Sequence, residues 1–392
     1  MRAFGKFLGR LLLALIVVAI AVGIWKRDNI TRLLAVNSLF SEERIVQNFS
    51  HMDDLFLTLP MSRGPGPLSP LPTGAPMEMP DGFDDWIKAR AVTALVVMKD
   101  GEIRHESYHL GTGPDDQRIS WSVAKSFLSA LFGIVVDEGA IASLDDPVTK
   151  YAPALAGGAY DGATIRNVLQ MASGVTFDED YLDFWSDINK MGRVLALGRS
   201  MDGFTESLTE TEAAPGLRWQ YVSIDTHVLG MVLRGATGRD VPDLMQEKIL
   251  DHMGLEADPY YLSDGYETAF VLGGLNLTTR DYARFGQMIL QGGEWQGKQI
   301  VPSEWIAAST APSAPTAPGA QKYGLQWWMP SDAREGEFFA RGIYGQYIYI
   351  DRPRGVMIAT NGADRGFREA GVNDRNIAMF RAITATLDKE TQ

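Results

Sequence analysis

The chain has 392 residues, 45% hydrophobic and 22% charged, proportions that suit one large core or two lobes and exclude disorder on a large scale. A net charge of −13 and an isoelectric point near 4.9 argue against nucleic acid as a partner, because its phosphates would be repelled. There is no cysteine, which excludes thiol catalysis, Cys-ligated zinc and disulfides and leaves the compartment open.

Arg2, Lys6 and Arg10 precede an uncharged stretch from Leu11 to Trp25, closed by Lys26 and Arg27. Counted from Phe7, with Arg10 snorkelling, a helix here is about 28 Å long against a hydrocarbon core of about 30 Å. Residues 1–27 read as an uncleaved membrane anchor. The alternative is a signal peptide cleaved near Ala19-Ile20-Ala21, and a buried soluble helix is the third reading. Apolar residues running past that site to Trp25, an interfacial type, favour the anchor. The basic start favours a cytoplasmic N-terminus, so the remainder is expected in the cell envelope, anchored in the inner membrane and facing the periplasm, or secreted to the periplasm.

Residues 28–79 are expected to be a linker, polar and amphipathic over 29–54 and rich in Pro and Gly over 63–80. The folded domain is expected over 80–392. Val92 to Met98 and Ile103 to Tyr108, separated by Asp100-Gly101, predict a β-hairpin.

The stretch Ser120 to Gly139 predicts a buried helix, with Ser122 in its first turn, a long apolar run from Phe127 to Val136 and Gly139 as its stop. Ser122 and Lys125, three apart, then project from one helix face. Burial would depress the lysine so that it could accept the serine's proton, and the unpaired N–H groups of the helix start could stabilise an oxyanion. A Ser-x-x-Lys match arises by chance about once in a chain this long. Its position at the start of a strongly apolar helix is what lifts this one above surface decoration.

Further on, Thr164 to Met171, Asp225 to Arg234, Asp240 to Gly254 and Tyr282 to Leu290 predict helices, with an acidic and aromatic loop over Asp178 to Asp187. Glu337 to Arg341, Gln346 to Ile350 and Val356 to Thr360 predict strands, and Asn373 to Leu387 a closing helix. Strands near both ends with helices between imply an α+β fold, three-layer α/β/α, whose antiparallel sheet is built from both termini around an inserted helical lobe.

Ser122-Val123-Ala124-Lys125, then Tyr221-Val222-Ser223 after Pro215-Gly216, then Arg341-Gly342 beginning the late strands, together resemble the serine β-lactamase and penicillin-binding protein superfamily over about residues 80–387. Ser120-Trp121, Thr164 to Gly174 and Gly273-Gly274-Leu275-Asn276 add to the likeness, which is nearest to the class C β-lactamase-like hydrolases, including 6-aminohexanoate-dimer hydrolase and related carboxylesterases. The resemblance implies a β-lactamase-like fold, Ser122 as nucleophile, Lys125 as the group that helps deprotonate it, and Tyr221 as acid and base for both half-reactions. It implies oxyanion donors on the backbone of Ser122 and Ile343, with Ser223, Arg341 and Gly342 along the substrate. A phenol acting as base needs positive charge nearby, which Lys125 is expected to supply. Tyr261-Leu262-Ser263 fits the same loose pattern as Tyr221 but lacks the Pro-Gly turn and following helix.

Two departures matter. Penicillin-recognising members usually carry Asn where this chain has Ser223, and Lys-Thr-Gly where it has Ala340-Arg341-Gly342. The expected activity is therefore hydrolysis of carboxylic esters or linear amides through an acyl-enzyme, without cofactor. A β-lactamase or D-Ala-D-Ala peptidase, and an idle envelope-binding domain, are the alternatives. Asp178, Asp180 and Tyr181 are candidates to contact a substrate, against the plainer reading of a solvated loop. Trp327-Trp328 could wall a pocket or lie in the core. His105 and His109 sit on a predicted strand, too far apart to share a metal easily, and no metal site is expected. The absence of Gly-x-Ser-x-Gly argues against a Ser-His-Asp hydrolase.

Overall fold

Asp100 and Gly101 both take positive φ, +51° and +86°, the turn geometry that joins Val92–Lys99 to Glu102–Tyr108 as an antiparallel hairpin. The structure, a computed structural model, describes residues 2–390. The hairpin is one edge of a seven-stranded sheet, continued by Val356–Gly362, Gln346–Asp351, Glu337–Gly342, Trp328–Met329 and Lys322–Tyr323, with every neighbouring pair antiparallel. The sheet is thus assembled from the two ends of the domain, as the sequence predicts.

Both faces of this sheet are covered. Val96, Met98, Ile348, Ile350, Met357 and Ala359 belong to a large core shared with the helices of the middle section. Leu95, Val97, Tyr347, Tyr349, Val356 and Ile358 pack instead on Ile377, Phe380, Ile383 and Leu387 of the closing helix Val372–Glu390. A strand buried on both faces has no polar side to display, so residues 94–98 of strand Val92–Lys99 are continuously apolar where a half-exposed strand would alternate. The layers are α/β/α.

A second sheet escapes the sequence reading. Leu57–Pro60, Tyr260–Ser263, Leu275–Thr278 and Gln117–Ile119 pair in that order, all antiparallel, with strands of three or four residues that carry little periodic signal.

The stretch 28–79 departs from the expected linker. Leu39, Ile45, Phe49, Met52 and Met61 are buried in the large core, and Leu57–Pro60 pairs with Tyr260–Ser263. Buried Arg118 donates to the Val46 carbonyl at 2.8 Å and to the Ser50 hydroxyl at 2.6 Å, and Arg284 donates to the Ser69 carbonyl at 2.7 Å. A polar average composition hid widely spaced apolar anchors. Ahead of them, Arg2–Trp25 is one helix, and its exposed stretch Phe4–Trp25 is long and apolar enough to cross a membrane by length and composition.

Candidate active site

Ser122 stands in a short 3-10 turn, Trp121–Val123, that leads into helix Ala124–Asp137, one step ahead of the first helical turn where the sequence places it. Trp121 takes φ +42°, a conformation costly for a bulky residue. Its ring is held among Phe40, Phe49 and Tyr344, with centroids 5.8, 5.5 and 6.4 Å away. The helix is buried on nearly every side, which accounts for its predominantly apolar run. Lys125, on its first turn, is 2% exposed and donates from Nζ to the Leu272 carbonyl at 2.8 Å. Burial pushes the Lys125 amine down to about 7, and the carboxylates of Glu179 and Asp225 hold it from falling further.

Tyr221 lines the same cleft as Ser122, and its ring stacks on Trp328 at 5.3 Å. Its phenol is not lowered, contrary to the expectation that Lys125 would make it a base. Burial pushes it well above its ordinary value and the charge of Glu179 adds to this; the nearby Ser122 hydroxyl and Arg341 work the other way and do not win. Tyr221 is therefore a neutral phenol in the resting protein, able to relay or donate a proton.

Glu179 joins these groups. Its carboxylate accepts from the Tyr181 hydroxyl at 2.9 Å and from the backbone N–H of Ser223, the first residue of helix Ser223–Thr237, where an anion is favoured. Burial raises the Glu179 carboxyl, opposed by those hydrogen bonds and by Lys125. Asp225, one turn into that helix, accepts from the Tyr160 hydroxyl at 2.7 Å and is pushed up to about 7 by burial.

The fourth wall is the end of strand Glu337–Gly342 with the turn Ile343–Gly345. A Cβ on Gly342 would stand 2.6 Å from the Ser120 carbonyl oxygen, so only glycine lets this strand come so close to the turn that carries Ser122. Arg341 lies 4.0 Å over the Trp328 ring and donates to the Gln321 side chain at 3.2 Å. Ser122, Glu179, Tyr221, Arg341, Ile343 and Arg368 line one cleft of about 280 Å³. The arrangement offers a hydroxyl nucleophile, an amine poised to lose its proton near neutrality, and a phenol between them and solvent.

Residues 83–378 match the beta-lactamase family profile. The chain belongs to the beta-lactamase family, a family of hydrolases. It is 30% identical to 6-aminohexanoate-dimer hydrolase of Paenarthrobacter ureafaciens over 287 residues, 70% of this chain and 72% of that protein. In fold it is similar to a Bacillus anthracis structure named as a candidate 6-aminohexanoate-dimer hydrolase, with TM-score 0.78 and 23% identity over 90% of this chain and 96% of the other. It is also similar to a D-stereospecific amidohydrolase from Streptomyces sp., with TM-score 0.54 and 19% identity over 74% and 97% of the two chains.

Within this beta-lactamase-family cleft the structure brings together Ser122, Tyr221, Tyr181, Arg341, Gly342 and Ile343, with Lys125 and Ser223 buried beside them. Asp180 does not reach it and pairs with Arg368 at the rim. Tyr261 is fully buried in strand Tyr260–Ser263. Trp327 is core, packed on Phe338, whereas Trp328 backs both Tyr221 and Arg341. His105 and His109 each contact the Ser107 hydroxyl at 3.0 Å, and among the described residues no group of three His, Asp or Glu suits a metal ion.

Glu179 is the functional candidate that sequence reasoning missed. It lies between Asp178 and Asp180 in a run of three acids with nothing in composition to single it out. Glu179 and Tyr181 line the cleft while Asp180 turns to Arg368, a distinction set by the fold of the loop that nothing in its sequence carries.

Proposed function

We propose that this protein is a serine hydrolase of carboxylic esters or linear amides that works through an acyl-enzyme on Ser122. Ser122 Oγ attacks the substrate carbonyl, and its proton passes to the neutral amine of Lys125, with the Tyr221 phenol as relay. The oxyanion is held by the backbone N–H groups of Ser122 and Ile343. The leaving group takes the Tyr221 proton, which Lys125 replaces. Water then attacks the acyl carbonyl, its proton returns along the same path, and Ser122 leaves as the hydroxyl. The observation that carries this reading is that Ser122 and Tyr221 line one cleft beside a buried lysine brought down to about 7. Lys125 and the Glu179 carboxylate shift each other's protonation, and Tyr221 stands outside that pair as a neutral phenol.

A second reading has its own support. Arg341 lines the cleft with Ser122, where it could hold a substrate carboxylate in place of the absent Lys-Thr-Gly lysine, which favours a β-lactamase or D-Ala-D-Ala peptidase. Comparing kcat/KM for a p-nitrophenyl ester and a chromogenic cephalosporin on one preparation separates the two. The ester reading expects the ester to win. A cephalosporin ahead by about tenfold, a gap of about 1.4 kcal/mol, reverses the choice.

The single apolar helix before the domain supports a place in the cell envelope, as an inner-membrane anchor facing the periplasm or as a signal peptide. Full-length protein that stays with alkali-washed membranes supports the anchor, and recovery of a soluble form beginning near Val22 supports cleavage.

A further inference from the structure

Ser122 opens onto two spaces. Besides the polar cleft, a cavity of about 480 Å³ meets the same serine, roughly three times the volume of an engineered apolar cavity that binds benzene. Its walls are apolar: Phe270 and Leu272, Met191 and Leu195 of helix Asp187–Ala196, and Leu33 and Val36 of helix Arg27–Ser38. The last helix is pinned in place by Arg32, which donates from Nε to the Ala196 carbonyl at 3.0 Å.

The surroundings say what fills it. Only Lys26 separates helix Arg27–Ser38 from helix Arg2–Trp25, so a wall of the cavity continues directly from the one segment among the described residues able to cross a membrane. Beside the cavity, Leu182, Phe184 and Trp185 are 83, 55 and 71% exposed. Their loop is held by a polar frame. Asn189 donates to the carbonyls of Tyr181 at 3.1 Å and Asp183 at 2.7 Å, and Arg193 donates to that of Phe184 at 2.8 Å. Three apolar side chains held outward are unfavourable in water and suit a bilayer's interfacial layer, where Trp collects.

We propose that the apolar cavity takes the long apolar chain of an amphiphilic ester or amide drawn from the bilayer past the 182–185 loop, while the polar cleft takes the substrate's other part. The inference rests on the serine hydrolase reading of Ser122 and names its substrate class. Each methylene buried in such a cavity strengthens binding roughly fourfold. The chain also fixes the ester beside Ser122, with its polar end toward Arg341 and Arg368.

The test uses the full chain reconstituted in phosphatidylcholine vesicles, with p-nitrophenyl acetate and octanoate as soluble substrates. The octanoate should exceed the acetate in kcat/KM by at least tenfold, and Ser122→Ala should abolish both. Gly192 stands on the cavity wall with no atom within 4 Å of the place a Cβ would take, so a larger side chain enters open space. Gly192→Phe should cut the octanoate-to-acetate ratio at least fivefold. Ser122-dependent turnover with no chain preference in the wild type overturns the inference and leaves the hydrolase reading standing, whereas turnover that survives Ser122→Ala overturns both. A second arm separates the two sources of the chain. With p-nitrophenyl palmitate held in the vesicles, Trp185→Glu should lower palmitate turnover at least fivefold relative to octanoate. An unchanged ratio means that the chain arrives as a soluble monomer and overturns the bilayer route.

Discussion

The Lys125 Nζ lies 5.6 Å from the centroid of the Tyr221 ring. The two groups divide their work: one is easily emptied of its proton, the other is reluctant to lose it. The reactive form has neutral Lys125 and neutral Tyr221. Since Lys125 is depressed to about 7, kcat/KM for a p-nitrophenyl ester should rise with pH through about 7 and stay level into the alkaline range, because Tyr221 is pushed up. A rate that falls with pH across that interval would assign the base elsewhere.

Tyr221→Phe should lower kcat by about 10² to 10⁴, the usual worth of one acid–base group. The ring keeps its stack on Trp328, so the melting temperature should move little. Full activity in Tyr221→Phe would remove the phenol from the proton path.

Glu179 offers a test of positioning that loss of activity alone does not. Its carboxylate raises Lys125, so Glu179→Gln removes a charge that favours the ammonium while leaving an oxygen for the Ser223 N–H. The rising limb of the pH profile should move to lower pH. A shift to higher pH, or none, would show that Glu179 does not act on Lys125.

Much of this architecture was legible because it rests on strong local signals. Asp100-Gly101 demands a tight hairpin, the long apolar run from Phe127 to Val136 favours burial, and the late apolar strands need two covering layers. What was not legible depends on tertiary contact. Phe40 and Phe49 read as part of a polar linker until they meet Trp121 and Tyr344. Glu179 is one acid among three until Ser223 and Tyr181 turn toward it. The direction of the Tyr221 shift was misjudged for a related reason. Sequence reasoning counted the nearby positive charge and could not weigh it against burial and the Glu179 carboxylate.

Gly342→Ala should leave a folded but poorly active protein. Its new methyl would meet the Ser120 carbonyl, a backbone atom that cannot swing aside, so the strand must retreat and take the Ile343 N–H with it. Losing one oxyanion donor costs about 10² to 10³ in kcat. A Gly342→Ala enzyme within about twofold of the parent would show that this strand does not hold the oxyanion.

Covalent chemistry at Ser122 is read out by reaction with a fluorophosphonate probe followed by peptide mapping. A single adduct is expected on the peptide carrying Ser122, lost in Ser122→Ala, with esterase activity falling in step with labelling; loss of the nucleophile costs on the order of 10⁶ in rate in a comparable serine enzyme. An adduct on another serine, or full esterase activity in Ser122→Ala, would contradict it.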